Sequence, residues 1–233
     1  MAKPFLKWAG GKGQLLPEIE RHLPKDFHKC STYLEPFLGG GAVLFHMLNE
    51  HQFENIFVSD LNPELVLCYN TIKNNINGVV NNLRVLENKF HPKSQEDRKV
   101  MYYGIRAEWN NNVGSKKNHN KKNAALRTAR TIFMNRTCFN GLFRVNSNGG
   151  FNVPMSTYKM PRILDEDNLR SVSDVLQNVT ISLGSFESCV SNVDSDTFVY
   201  FDPPYRPLNT SSSFTSYVKS GFNDDDQIKL ANF

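Results

Sequence analysis

Several features of membrane, secreted and metal-binding proteins are absent from this sequence of 233 residues. No apolar run reaches the length of a membrane helix, and residues 1–4 lack the apolar core of a signal peptide. The four cysteines stand apart without a Cys-x-x-Cys pair, and the six histidines show no ligand spacing. We therefore expect a cytoplasmic protein with reduced cysteines, no bound metal and no membrane partner.

Acidic residues are missing from one long stretch of the chain. The formal net charge is only +4, yet no aspartate or glutamate occurs from residue 110 to residue 162. Residues 84–162 carry 16 lysines and arginines against 4 acids, interleaved with aromatic residues and asparagines. Most charge runs are solvated surface, but this mixture is typical of a segment that binds nucleic acid.

Four short β-branched and aromatic runs predict strands, at residues 33–35, 56–60, 179–183 and 198–201. A glycine loop and an apolar helical run join the first two, and Asn62-Pro63 predicts the start of another helix. Helical patterns follow near 95–109 and 122–135, with a mobile loop expected at 110–123. The sequence therefore predicts a split α/β core, residues 1–62 and 163–233, with a mainly helical recognition domain inserted at 63–162.

Asp202-Pro203-Pro204-Tyr205 directly follows the last predicted strand. Neither proline can donate a ladder hydrogen bond, so the chain must leave the sheet there. A carboxylate, a backbone carbonyl and an aromatic ring then meet at the carboxyl end of a strand, the edge at which α/β sheets bind ligands. The trio suits a flat base with an amino group, because Asp202 and the Pro203 carbonyl can accept its protons while Tyr205 stacks on the ring. A plain strand-ending turn is the alternative.

The segment Glu35-Pro36-Phe37-Leu38-Gly39-Gly40-Gly41 lies between a predicted strand and a helix. Its glycines permit close approach of a cofactor, and Asp60, at the end of the next strand, is placed to hold ribose hydroxyls. The segment is not a strict G-x-G-x-x-G, which disfavours a dinucleotide. Gly10-Gly11-Lys12-Gly13 is not a P-loop, which disfavours an ATPase.

Five motifs in order, at residues 5–12, 35–41, 140–144, 151–154 and 202–205, resemble the Dam-type (class D12) DNA adenine-N6 methyltransferases. That family includes restriction–modification enzymes acting on GATC, and the resemblance covers essentially the whole chain. It implies a Rossmann-like S-adenosylmethionine-dependent methyltransferase core that transfers a methyl group to a flipped adenine of duplex DNA, at a GATC-like site. It implies catalytic roles for Asp202, Pro203, Pro204 and Tyr205, and cofactor contacts at Trp8, Lys12, Glu35, Phe37, Gly39, Gly41, Asp60 and Asp202.

The same resemblance implies DNA contacts at Lys7, Phe139, Asn140, Leu142, Arg144 and Pro154. Asn140 and Arg144 carry donors suited to adenine and guanine edges, and Phe139 or Leu142 could enter the base stack where the adenine leaves it. Asn140-Gly141 is at the same time a common hairpin-turn signal. Family members often carry Gly-Arg-Tyr where this chain has Ser156-Thr157-Tyr158, which removes one candidate arginine contact.

The family fold normally has seven strands, three of them after the Asp-Pro-Pro-Tyr motif, whereas 28 residues follow Tyr205 here. These comprise a serine-rich loop at 208–216 and a helix start at Asn223-Asp224. We therefore expect a chain that lacks the C-terminal strands, or a second chain that supplies them. The alternatives to an active adenine enzyme are a catalytically inactive DNA-binding remnant and a cytosine-N4 methyltransferase. A cognate restriction endonuclease and the oligomeric state stay open.

Overall fold

The computed structural model describes residues 1–114, 120–205 and 222–233. Within these ranges the strands are β1 (Thr32–Glu35), β2 (Asn55–Asp60), β3 (Val179–Leu183) and β4 (Thr197–Val199). They form one parallel sheet in the order β3-β2-β1-β4. The chain order reverses beside β1, so the carboxyl ends of β1 and β4 form a topological switch point, the usual ligand site of such sheets. The predicted α/β class is confirmed.

Three of the four predicted strands agree with the structure to within one residue at each end. The fourth prediction, residues 198–201, was wrong at its end, because β4 stops at Val199. One further backbone bond follows, from the Tyr200 N–H to the Leu34 carbonyl at 2.9 Å. The chain then leaves the sheet ahead of Pro203 and Pro204, which have no N–H to offer a neighbouring strand.

The described ranges contain seven α-helices: α1 (Leu16–Arg21), α2 (Ala42–Glu50), α3 (Pro63–Phe90), α4 (Gln95–Asn110), α5 (Lys121–Thr137), α6 (Glu166–Val175) and α7 (Asp224–Asn232). Both predicted helix starts are confirmed, since the side chains of Asn62 and Asn223 accept backbone N–H groups from the first turns of α3 and α7. No helix of these ranges has the length and hydrophobicity to cross a bilayer.

The predicted helices near 95–109 and 122–135 are confirmed as α4 and α5. The loop expected at 110–123 is shorter at both ends, because α4 includes Asn110 and the Asn120 side chain caps α5 from Lys121 onward. Residues 115–119 of that loop, and the serine-rich loop at 208–216, lie outside the described residues.

Helix α3 connects the sheet to the basic helices. It is kinked at Asn75. In its first part Lys73 bonds to the Val179 carbonyl of β3 at 2.8 Å, and along its length it packs against α5. One buried hydrophobic cluster includes Tyr33 of the sheet together with Phe133 of α5. The basic helices and the sheet therefore share a core, which fixes the position of the helices beside the switch point. The domain boundaries at 62 and 162 stay a prediction.

Candidate active site

A cavity of about 290 Å³ opens at the carboxyl ends of β1, β2 and β4. The carboxyl groups of Glu35, Asp60 and Asp202 line it, because each of these residues ends or closely follows one of those strands. The rest of the wall comes from residues 8–12, 36–43, 61, 203–205 and 222. The structure thus brings together every residue for which the sequence predicted a catalytic role or a cofactor contact.

The Asp202 carboxylate is held by Lys12. The Lys12 ammonium donates to Asp202 Oδ2 at 2.6 Å and to the Gly10 carbonyl at 2.9 Å, and it lies 4.9 Å from the centre of the Tyr205 ring. Burial by itself would lower the pKa of Lys12, but the hydrogen bonds and charges of Asp202 and Tyr205 outweigh it and raise that pKa. Lys12 therefore stays a cation in contact with Asp202.

Glu35 is the most enclosed of the three acids, with 2% of its surface exposed. Its Oε2 accepts a hydrogen bond from the Tyr33 hydroxyl at 2.7 Å. Burial raises the pKa of Glu35 to about 8; the Tyr33 bond opposes this rise, and the nearby charges of Asp202 and Asp60 add to it. Glu35 is consequently protonated at neutral pH.

Asp60 joins the glycine loop to the start of α3. Its Oδ2 accepts the Gly39 N–H at 2.9 Å and its Oδ1 accepts the Asn62 N–H at 2.8 Å. Burial raises the pKa of Asp60, while these backbone bonds act in the opposite direction. Gly41, with φ of +72°, immediately precedes α2 as its N-cap residue, and a Cβ there would overlap the Tyr69 hydroxyl. The loop therefore needs glycine at this position both for its backbone conformation and for space.

Trp8 lies between the glycine loop and the basic segment. A Cβ on Gly40 would come within 2.8 Å of the Trp8 Cβ, so the two backbones are in close contact. On its other side the indole stacks on Phe143, with ring centres 5.1 Å apart and planes at 26°. Trp8 is thus both part of the cavity wall, as predicted, and a contact to the residues beyond the Asn-Gly turn.

The Asn140-Gly141 dipeptide forms the predicted tight turn. Both residues have positive φ, 54° and 65°, and the Leu142 N–H bonds to the Phe139 carbonyl at 3.3 Å. Positive φ at both residues is the conformation that Asn-Gly favours in tight turns. The turn does not close a hairpin, because Cys138 pairs with Met155 and Val145 with Phe151. The Phe139 N–H bonds to the Pro154 carbonyl at 2.9 Å, and the Phe139 side chain is 52% exposed. The turn therefore presents an exposed aromatic ring beside Pro154.

The remaining candidate DNA contacts lie next to this turn. Arg144 Nε donates to Asn152 Oδ1 at 2.8 Å, which fixes the direction of the guanidinium. The Lys7 ammonium lies 5.2 Å from the centre of the Tyr158 ring. Lys7 also crosses the turn, because a Cβ on Gly141 would overlap its side chain. The structure thus gathers the six predicted DNA contacts on and around one turn.

Three partners of the site were missed by sequence reasoning. Asn152 and Tyr158 orient Arg144 and Lys7, although both stand in segments that the sequence had singled out. Phe222 lies in the cavity wall and packs edge-on against Phe37, with ring centres 5.6 Å apart. It follows residues 206–221 in the chain, and no motif marks it.

Comparison with known proteins gives a consistent result. The family model described as D12 class N6 adenine-specific DNA methyltransferase matches residues 8–233. The type II methyltransferase M.MjaIII of Methanocaldococcus jannaschii is 50% identical over 233 residues, which cover 99% of this chain and 78% of that protein. The type II methyltransferase M1.LlaDCHI of Lactococcus lactis is 38% identical over 98% of this chain and 74% of its own length. A DNA adenine methylase of Vibrio cholerae is 36% identical over 99% of this chain and 75% of its own length.

Proposed function

The chain belongs to the D12 class of N6 adenine-specific DNA methyltransferases, and from that membership we propose that it takes its methyl group from S-adenosylmethionine and acts at a GATC-like site. The observation that carries the proposal is the single cavity wall shared by the glycine loop, Asp60 and the Asp-Pro-Pro-Tyr motif. Methyl donor and adenine amine can meet only where both sets of residues face the same space.

The wall suits S-adenosylmethionine by its chemistry. Asp60, held by two backbone N–H groups, has carboxylate oxygens with lone pairs suited to ribose hydroxyls. Phe37, with Pro36 and Trp8 also in the wall, offers apolar surface to a purine ring. The bound cofactor would supply an electrophilic methyl group on a positively charged sulfur. The carboxyl oxygens of Asp60 and Asp202 in the wall offer a polar environment for that charge.

Asp202 and Pro203 act on the adenine amine. The amine is a weak nucleophile because its lone pair is delocalised into the ring, and two aimed acceptors favour the localised form as attack begins. Lys12 bonds to Oδ2 of Asp202, which leaves Oδ1 to accept a hydrogen bond from one N–H of the amine. The Pro203 carbonyl accepts a hydrogen bond from the other N–H. Tyr205, 65% exposed, lies at the mouth of the cavity, where it can stack on the flipped base. Holding the amine in line with the methyl group supplies much of the rate.

The Asn-Gly turn reads the DNA in this proposal. Phe139 and Leu142 enter the stack at the position that the adenine leaves, while Asn140 and Arg144 bond to base edges. Lys7 and Pro154 contact the DNA next to them. The bond from Arg144 Nε to Asn152 supports the base-reading role, because it leaves the terminal nitrogens of the guanidinium to face a base.

Methyl transfer from tritiated S-adenosylmethionine to a duplex containing GATC tests the proposal. We expect label in adenine with the wild-type chain, no detectable label with Asp202→Ala, and DNA affinity within about twofold for both. Asp174→Ala, an exposed acid of α6, is the matched control and should keep full activity. DNA binding without label by the wild type would instead support the inactive remnant. Residual transfer by Asp202→Ala at the wild-type rate would remove Asp202 from the mechanism.

A further inference from the structure

A buried asparagine outside the predicted site joins the DNA-reading turn to the wall of the cavity. Asn135 lies near the end of α5 and has no exposed surface. Its Oδ1 accepts the Lys7 N–H at 2.8 Å, and its Nδ2 donates to the Lys7 carbonyl at 2.9 Å. The second N–H of the same amide donates to the Gly141 carbonyl at 2.8 Å. One side chain therefore holds the backbone of Lys7 and the backbone of the turn together.

The dipeptide Lys7-Trp8 contacts both functional regions directly. Lys7 lies across Gly141 so closely that the turn has no room for a Cβ there. Trp8 packs against Gly40 of the cofactor loop and stacks on Phe143. A displacement of the turn must consequently move the dipeptide, and a displacement of the dipeptide must move the cavity wall, because close-packed contacts transmit strain.

Helix α5 gives this connection a fixed base. Eight residues earlier in this helix, Arg127 is buried and bonds to both carboxylate oxygens of Glu64, at 2.9 and 2.7 Å. Glu64 stands in the first turn of α3, just after the β2 end that carries Asp60. Next to Asn135, Arg136 donates to the Phe5 carbonyl at 2.9 Å. The helix is thus attached near the cofactor acid through Arg127 and at the turn through Asn135.

We propose that Asn135 is a positioning residue that couples DNA recognition to cofactor binding through Lys7-Trp8. The inference rests on the proposed function, since it assigns the turn to DNA and the cavity to S-adenosylmethionine. Asn135 touches neither ligand. When DNA fixes the turn, the buried amide fixes Trp8 against the glycine loop, so the cavity is ordered before the cofactor enters. Coupling between two binding sites is reciprocal, so the cofactor must tighten DNA binding by the same factor, and the same contacts should order the turn.

The chain offers a matched control for this amide. Asn168 of α6 holds Lys3 in the same manner, accepting its N–H at 2.9 Å and donating to its carbonyl at 3.0 Å. Both asparagines anchor the same N-terminal segment by an equivalent pair of bonds. Asn168 lies away from the turn, so its loss removes an anchor without disconnecting the two sites.

The test measures how much DNA tightens cofactor binding. The probes are S-adenosylhomocysteine, which cannot be turned over, and duplexes of equal length that contain GATC or GTTC. Calorimetry measures the Kd of S-adenosylhomocysteine without DNA and with each duplex. The ratio of the Kd without DNA to the Kd with DNA reports the coupling. We expect the GATC duplex to tighten binding about tenfold in the wild type, which lies within the usual range of coupling between sites. Asn135→Ala and Asn135→Asp should reduce the ratio below about threefold, and Asn168→Ala should leave it within twofold of the wild type.

A second measurement needs only the wild-type chain. Amide hydrogen exchange at Gly141 and Leu142 should slow when S-adenosylhomocysteine binds in the absence of DNA, because the cofactor orders the turn. Unchanged exchange there overturns the proposal, even if both Asn135 variants fail to fold. A wild-type ratio of one, or an Asn135 variant with the wild-type ratio, overturns it as well.

Failure of the proposed function gives a different pattern. A wild type that neither binds S-adenosylhomocysteine nor labels adenine would refute the function, and the coupling with it. The coupling alone would be refuted by a different result. In that case the wild type labels adenine in the GATC duplex, and the Asn135 variants show the same ratio of Kd values as the wild type.

Discussion

Glu35→Gln is expected to make the protein more stable, by an amount that grows with pH. The structure buries this carboxyl group beside Asp202 and Asp60, and its neighbour Tyr33 offers it one hydroxyl. Ionised Glu35 is therefore unfavourable in the folded chain. Glutamine has the shape of the protonated acid, can accept the same Tyr33 bond and never ionises.

The direction and size of the change in stability follow from the pKa of Glu35, which rises from 4.5 in the unfolded chain to about 8 on folding. Between these values the folded chain holds a proton that the unfolded chain has released. Stability therefore falls by about 1.4 kcal/mol per pH unit through this window, or about 5 kcal/mol in total. Below pH 4.5 the acid is protonated in both states, and the substitution should change the free energy of unfolding little.

Urea unfolding at pH 5.5, 6.5 and 7.5 measures the effect. The stability advantage of Glu35→Gln over the wild type should grow by about 2–3 kcal/mol between the first and last pH, with unchanged m-values. Glu54→Gln, at an exposed glutamate, is the control and should stay within about 0.5 kcal/mol of the wild type at each pH. A Glu35→Gln advantage that is the same at all three pH values would refute the argument that Glu35 is protonated in the fold.

Three further substitutions test other parts of the structure. Gly41→Ala should lower the free energy of unfolding by about 2–3 kcal/mol, because φ is positive at this position and an added Cβ would overlap the Tyr69 hydroxyl. The control Gly13→Ala, where a Cβ has open space, should change the free energy of unfolding by less than about 0.5 kcal/mol, and equal losses in both variants would contradict the reasoning. Glu64→Ala should lower the free energy of unfolding, measured in urea, by about 3–5 kcal/mol, because Arg127 stays buried without its carboxylate partner. The double variant Glu64→Ala/Arg127→Met should recover part of the lost stability, and no recovery would contradict this account. Arg144→Ala should relax sequence preference by about 1–3 kcal/mol at one base pair in methylation assays on altered duplexes, whereas equal losses on every duplex would reassign it to a phosphate.

The cavity could be predicted from the sequence because its parts follow strand ends. Glu35 and Asp60 each close a short apolar run, and Asp202 follows one closely. Parallel strands place such ends along one edge, so three separate motifs converge without any knowledge of distant contacts. Asn140-Gly141 was predictable for a local reason as well, since this dipeptide favours the positive φ angles of a tight turn.

The contacts that hold the site together could not be predicted in this way. Lys12 and Asp202 are separated by 190 positions, and nothing local in either motif indicates their ion pair. Asn135 and Arg127 occupy a basic helix, where polar side chains ordinarily indicate a solvated face. Both are buried in the structure because their partners come from residues 7, 64 and 141, which only the tertiary fold brings to α5.

The stacking of Trp8 gives the chain a built-in optical reporter. The sequence has two tryptophans, and the other, Trp109, is fully buried with the Arg127 guanidinium 3.7 Å from the centre of its ring. Trp109 also packs edge-on against Phe143, with ring centres 6.4 Å apart, so its emission must be recorded separately. The Trp8 indole faces the cavity and Phe143, so its emission should change whenever a molecule fills that space. Stopped-flow fluorescence on the unlabelled wild-type chain, with Trp8→Phe as the blank, can then time the arrival of each ligand without an attached dye.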